Sequence, residues 1–206
     1  MRNEHLSATS LSAPFFLALT VLLFTGCQSS PPPSGGKAMT SSMVPPATPA
    51  KPVATQTAIR IDAGATTNLT DSSGNVWLAD QGFTGGEIVT RADDLQITGT
   101  PNPAIYRTEH YDMTAFSWSV PNGKYTVKLH FAETYDGISG SGQRVFSFNV
   151  EGHETKDFDV WAKTGGLGRA DVETVNVDVT DGKLDITFTP GVQSPEINGI
   201  EIISGY

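Results

Sequence analysis

Two glutamates offer the pair of carboxylates that glycan cleavage would need, yet the neighbourhood of each points to a structural role. Hydrolysis of a glycosidic bond uses an acid and a base carboxylate at a set separation, and Glu109 and Glu133 are the available pair. Both lie in segments rich in apolar residues, with Arg107 beside them and Arg144 a few residues off. A carboxylate drawn partly into a core needs such a partner, so structural ion pairing is the stronger reading. Tyr135 suits a different chemistry. It ends an alternating segment and enters a glycine-rich loop, residues 136–142, that is too polar to be core. An exposed ring there would cover the apolar face of a sugar, while fixed amides or carboxylates take its hydroxyls. Trp161 precedes a second glycine loop, residues 165–168, and could stack in the same way, although a tryptophan in a strand more often packs inward. Trp77 and Trp118 sit in strand patterns and are expected to be buried or half-buried.

Other chemistries find little support. His5, His110, His130 and His153 lack metal-ligand spacing, and a single cysteine leaves no second thiolate for zinc. The glycine loops do not join a strand to a helix, so they are not phosphate cradles. No serine sits in a nucleophile elbow. Asp93 and Asp94, or Asp157 and Asp159, could hold a structural calcium, but no loop supplies the dense oxygen set of a dedicated site. No cofactor is expected. The net charge of -9 repels phosphate backbones and no basic stripe offsets it. Nucleic acid is therefore a poor partner, and oligo- or polysaccharide remains open.

The elements that position these residues read as strands. Tyr125, Val127, Leu129 and Phe131 alternate with polar or small neighbours, as do Phe146, Phe148 and Val150, then Val175, Val177 and Val179, then Leu184, Ile186 and Phe188. Phe116–Trp118–Val120 and Ile200–Ile202 continue the pattern. One apolar face per strand means half-buried antiparallel sheet. Asn122–Gly123 and Asp181–Gly182 each separate two such runs and favour the angles of two-residue hairpins, with Ser73–Gly74 a third case. Eight or more strands over about 150 residues predict an all-β, antiparallel sandwich or jelly roll.

With the strands placed, an ordered series of segments emerges: Ile59–Gly64, Trp77–Gln81, Tyr106–Tyr111, Leu129–Tyr135, Gln143–Phe146 and Pro190–Ile200. In this order and spacing the chain resembles a malectin domain from Ala58 to Ile203. The resemblance implies a jelly-roll β-sandwich of the carbohydrate-binding kind, holding sugar without catalysis on aromatic residues at one end. The family's sugar-contacting tyrosines fall on Tyr111 and Tyr135. Three positions depart: Asp136 follows Tyr135 where an aromatic is usual, Gln193 stands where an acidic residue is expected, and no tyrosine occurs from Arg91 to Asp93. Asp136 and Gln193 could supply hydroxyl acceptors. The domain match carries over; specificity for a diglucose unit does not.

Ahead of this domain, residues 15–24 form an apolar run of about half a bilayer crossing, which fits a signal-peptide core. Thr25–Gly26–Cys27 follows and resembles the lipobox of bacterial lipoproteins, with Cys27 as the lipid attachment point and Gln28 favouring the outer membrane. Several acyl chains on one residue give stable anchoring. Residues 27–57 are rich in Pro, Ser and Thr and read as a semi-stiff tether between a leader at 1–26 and the domain at 58–206. The expectation is an exported, envelope-anchored protein that binds glycan without cleaving it. Its rivals are a protein-interaction module on the same fold and an enzyme using Glu109 and Glu133.

Overall fold

The computed structural model describes residues 56–206. The leader, Cys27 and the tether up to residue 55 lie outside the described residues. Twelve strands follow in order: β1 (Ala58–Asp62), β2 (Leu69–Thr70), β3 (Val76–Trp77), β4 (Phe83–Thr90), β5 (Thr108–Ser119) and β6 (Gly123–Phe131), then β7 (Val145–Val150), β8 (His153–Phe158), β9 (Asp171–Val179), β10 (Lys183–Val192), β11 (Glu196–Ile197) and β12 (Gly199–Ser204). One short helix, α1 (Val160–Thr164), and a 3-10 turn (Pro103–Tyr106) complete the described elements.

Ten of the strands form two antiparallel sheets, as the alternation requires, and β2 and β3 pair separately. One has the order β1-β12-β6-β9. In the other, β4 runs along one edge of β5, while β10 and β11 share the opposite edge and β7 and β8 continue outward from β10. The predicted apolar faces meet between them: Tyr125, Val127, Leu129 and Phe131 of β6 against Phe146, Phe148 and Val150 of β7 and Leu184, Ile186 and Phe188 of β10, all buried. Trp77 is buried and Trp118 half-buried, as expected. At the end of β6, Phe131 packs within ring-centroid distances of 6.0, 5.7 and 4.9 Å of Phe146, Phe148 and Phe158. Full burial of each such ring is worth about 1.5–3 kcal/mol. This cluster fixes the strand end from which Glu133 and Tyr135 emerge.

Two turn assignments need correcting. Asn122–Gly123 joins β5 to β6 and Asp181–Gly182 joins β9 to β10, but the strands on either side belong to different sheets. Both turns arch across the sandwich instead of closing hairpins. They sit side by side, with Val120 N donating to Gly182 O at 3.1 Å and Asn122 Nδ2 to Thr180 O at 2.7 Å. An Asn-Gly or Asp-Gly pair sets local backbone angles, whereas the core decides which strand is the neighbour. Ser73–Gly74 does close a hairpin, β2–β3, through Asp71, whose carboxylate accepts from Ser73 N and Asn75 N at 2.9 Å. A further hairpin, β7–β8, turns at Glu151–Gly152, both with positive φ (48° and 86°).

The sandwich thus has two distinct poles. At one, the two arching turns lie close to the chain's entry and exit, where Thr57 N donates to Ser204 Oγ at 2.9 Å and β1 begins antiparallel to the end of β12, Ala58 opposite Ile203. At the other pole β4, β6 and β10 end and β5 and β7 begin.

Candidate functional site

That second pole carries a cleft of about 300 Å³. Its walls bring together three residues singled out in the sequence, Tyr111, Tyr135 and Gln193, with Arg91 and Arg144 beside them. Tyr135 follows the Phe131-anchored end of β6 and is 42 % exposed. A Cβ on Gly137 would run into its ring, so the glycine is what lets the ring lie back over the loop. Tyr111 lies half-buried on β5, opposite Glu87 of β4 and Glu196 of β11. Gln193 is exposed at the end of β10 with a positive φ of 62°, and Asp112 has a φ of 60°. Side chains pay for that conformation. The surrounding loop holds it: Asp112 N donates to Pro195 O at 2.9 Å, and Ser194 Oγ to Asp112 Oδ1 at 3.0 Å.

The floor is charged and largely buried. Arg91 donates from Nη2 to Glu109 Oε2 at 3.0 Å and from Nε to Thr134 Oγ1 at 3.0 Å, and the Thr134 hydroxyl donates to the same Glu109 oxygen. Arg144 donates from Nε to Glu133 Oε2 at 2.8 Å and from Nη1 to the Ser194 carbonyl at 2.7 Å. The other Glu133 oxygen accepts from Tyr135 N at 2.9 Å, which ties the ring-bearing residue to the floor. Glu109 and Glu133 are 1 % and 0 % exposed. Beneath them Glu196 is fully buried, and neither carboxylate oxygen has a hydrogen-bond partner among the described residues. Desolvation pushes Glu196 well above the usual carboxylate range; repulsion from Glu109 and Glu133 adds to it, and Arg144 and Arg91 oppose it only in part. Desolvation also raises Glu133, against the pull of Arg144.

The expected pairing of Glu109 and Glu133 with arginines holds, but the partner of Glu109 is Arg91 and not Arg107. Arg107 lies at the edge of a separate recess that also includes Asp62 and Asp93. Asp136 is exposed on the loop after Tyr135 and outside the cleft lining. Trp161, read as either an exposed stacking ring or a strand residue, is half-buried on α1 and likewise outside the lining. Of the calcium candidates, Asp159 is engaged as the N-cap of α1, accepting from Ala162 N at 2.9 Å, and it also accepts from Gly142 N at 2.6 Å. Among the described residues no group of three or more His, Cys, Asp or Glu side chains could hold a metal ion. Arg91 and Glu196 were missed as parts of the site, and Arg144 was read as an ion-pair partner without being placed in the cleft. The only sequence signal for Arg91 was negative, the tyrosine absent from its neighbourhood.

Comparison with known proteins converges on one family. The malectin domain profile matches residues 57–201. A probable leucine-rich repeat receptor-like serine/threonine-protein kinase of Arabidopsis thaliana is 30% identical over 144 residues, which cover 64% of this chain and 14% of the kinase. Receptor-like protein 4 of the same plant is 32% identical over 107 residues, 50% of this chain and 17% of its own. Among solved structures, a Bacteroides uniformis beta-glucuronidase superposes with a TM-score of 0.65 at 21% identity, over 73% of this chain and 18% of the enzyme. The plant receptor FER, in complex with the peptide RALF23 and LLG2, gives 0.63 at 23%, over 71% of this chain and 48% of that one. These structural likenesses carry the fold alone. The chain spans less than a fifth of the curated relatives it matches.

Proposed function

The chain belongs to the malectin domain family, and from that premise we propose that the cleft at its second pole binds carbohydrate without cleaving it. One observation carries the reading: Tyr111, Tyr135 and Gln193, separated by 24 and 58 positions in sequence, line a single cleft. The exposed Tyr135 ring offers a platform for the C–H face of a pyranose, while the Gln193 amide and the tyrosine hydroxyls offer partners for its hydroxyl edges. Asp136 is in place to meet a longer ligand running past Tyr135; Trp161 is left out of the contact set. Affinity per site will be modest, because a small polar cleft retains little surplus after desolvation. Cleavage is the weaker reading. Glu109 and Glu133 are locked in ion pairs beneath the surface, and a general acid must reach the leaving oxygen.

A glycan array with the wild-type protein and Tyr135→Ala tests this. The variant should lose binding while its melting temperature stays within about 2 °C, since a ring this exposed contributes little to packing. A wild-type protein that ignores every glycan but captures a protein partner would move the family fold here to a docking role.

We further propose that the domain is exported and held to the bacterial outer membrane by a lipid on Cys27, with residues 27–57 as its tether. The apolar run followed by Thr25–Gly26–Cys27 supports this, and among the described residues no helix is long and apolar enough to cross a membrane. Cys27→Ser should abolish incorporation of labelled acyl chains and release the protein from the membrane fraction. Unchanged labelling refutes the anchor.

A further inference from the structure

The polar groups on the cleft's surface and those beneath it have opposite characters. Carboxylates form the floor, but Glu109 and Glu133 are almost wholly covered. The lining residues with exposed or half-exposed surface are cationic or neutral: Arg91, its side chain 21 % exposed, with Gln193, Tyr135 and Tyr111, while the exposed Glu87 opposite Tyr111 on β4 stands outside the lining. A guanidinium has five N–H donors. Arg91 commits Nε to Thr134 and one Nη2 hydrogen to Glu109, so three remain without a partner among the described residues. Arg144 stands behind it with the same count of two, to Glu133 and to the Ser194 carbonyl. Asp136, the nearest exposed acid on the Tyr135 loop, is not in the lining.

From this arrangement, and on the carbohydrate reading above, we infer that the ligand is an acidic sugar, a uronic acid residue whose ring lies on Tyr135 and whose carboxylate is received by Arg91. The guanidinium carbon of Arg91 lies 5.8 Å from the centre of the Tyr135 ring, so the apolar platform and the charged fork are neighbours. A fork of parallel N–H groups matches a carboxylate in shape as well as charge, and such charge-assisted bonds are about twice as strong as neutral ones. The Arg91–Glu109 contact uses one of the five N–H groups of Arg91, and Glu109 shows almost no surface, so three N–H groups remain to meet a carboxylate. Gln193, which can donate from its amide nitrogen, is compatible with a carboxylate where an acidic side chain would oppose it. The protein's overall charge of -9 repels anions at long range, so preference for an acidic ligand has to come from local contacts at the cleft and cannot be a general attraction.

The test uses the full chain and its calorimetric affinity for three sets of oligosaccharides: oligomers of glucuronate, galacturonate and mannuronate, the methyl esters of each, and neutral oligomers of glucose, galactose and mannose. At least one uronate should bind about tenfold or more tightly than its own ester, since esterification removes the charge and keeps the sugar. Arg91→Gln should erase that difference and Arg91→Lys should keep part of it. If Arg91→Gln does not fold, the acid-against-ester comparison on the unchanged protein decides alone. Equal binding of acid and ester, or preference for neutral oligomers, overturns the acidic ligand and leaves carbohydrate binding standing. Binding of polyglutamate as tight as that of the uronate overturns it too, because charge alone would then suffice. Failure to bind any oligosaccharide overturns the carbohydrate reading itself.

Discussion

Replacing Arg144 by methionine should destabilise the fold by about 3–5 kcal/mol, the usual cost of stripping one partner from a buried ion pair. The side chain is 6 % exposed and holds Glu133 at 2.8 Å, and it is also the largest favourable charge acting on the buried Glu196. Methionine fills a similar volume but donates nothing. Glu133 is then left charged without its cation, or must take up a proton, and the Ser194 carbonyl loses its donor. Equilibrium denaturation gives the number, and a loss under about 1 kcal/mol would refute the assignment of this pair as the anchor of the floor. The double variant Arg144→Met/Glu133→Leu should recover much of the loss, since a buried pair replaced as a whole by apolar groups is often neutral. Recovery would separate the cost of an orphaned charge from the cost of a changed shape.

Glu196→Gln should act in the opposite direction, and only above the ordinary glutamate pKa of about 4.3. Burial keeps the proton on Glu196 in the folded protein, whereas the unfolded chain releases it near pH 4.3. Below that pH both states hold the proton and Glu196 costs nothing. Above it the folded state binds one proton more than the unfolded one, so stability falls by about 1.4 kcal/mol per pH unit until the folded-state pKa is reached. Glutamine has the same shape and no proton to lose. The variant should match wild type at pH 4 and exceed it by a widening margin at pH 5.5 and 7, read from denaturation midpoints. Two parallel curves would mean that Glu196 is ionised in the folded protein or that a buried water solvates it.

The alternation of single strands was enough to find the sandwich, because each apolar face in β6, β7 and β10 has only one place to go. Strand partnership was not legible in the same way. Asn122–Gly123 prescribes a tight turn in any context, yet a strand leaves that turn toward whichever sheet buries its face, and here that is the opposite one. The site divides similarly. Tyr135 announced itself by ending a strand inside a polar loop, and Tyr111 and Gln193 were named through the family resemblance. Arg144 was legible only as an ion-pair partner, and Arg91 and Glu196 carry no local mark, since they matter through contacts across 18 positions or more of intervening chain. Arg107 shows the hazard from the other side: closeness in sequence made it the natural mate of Glu109, but it sits before β5, at the end of the 3-10 turn, and lines a separate recess.

The separation of the two poles has a mechanical meaning. The chain enters at Thr57, runs up β1 alongside β12, and the cleft opens at the far end of the sandwich. If a bound polymer is tugged while residue 57 is held back, the load runs lengthwise through β1. Its ladder of five residue pairs, Ala58–Ile203 to Asp62–Gly199, is then strained in shear, all rungs together, instead of being unzipped one at a time.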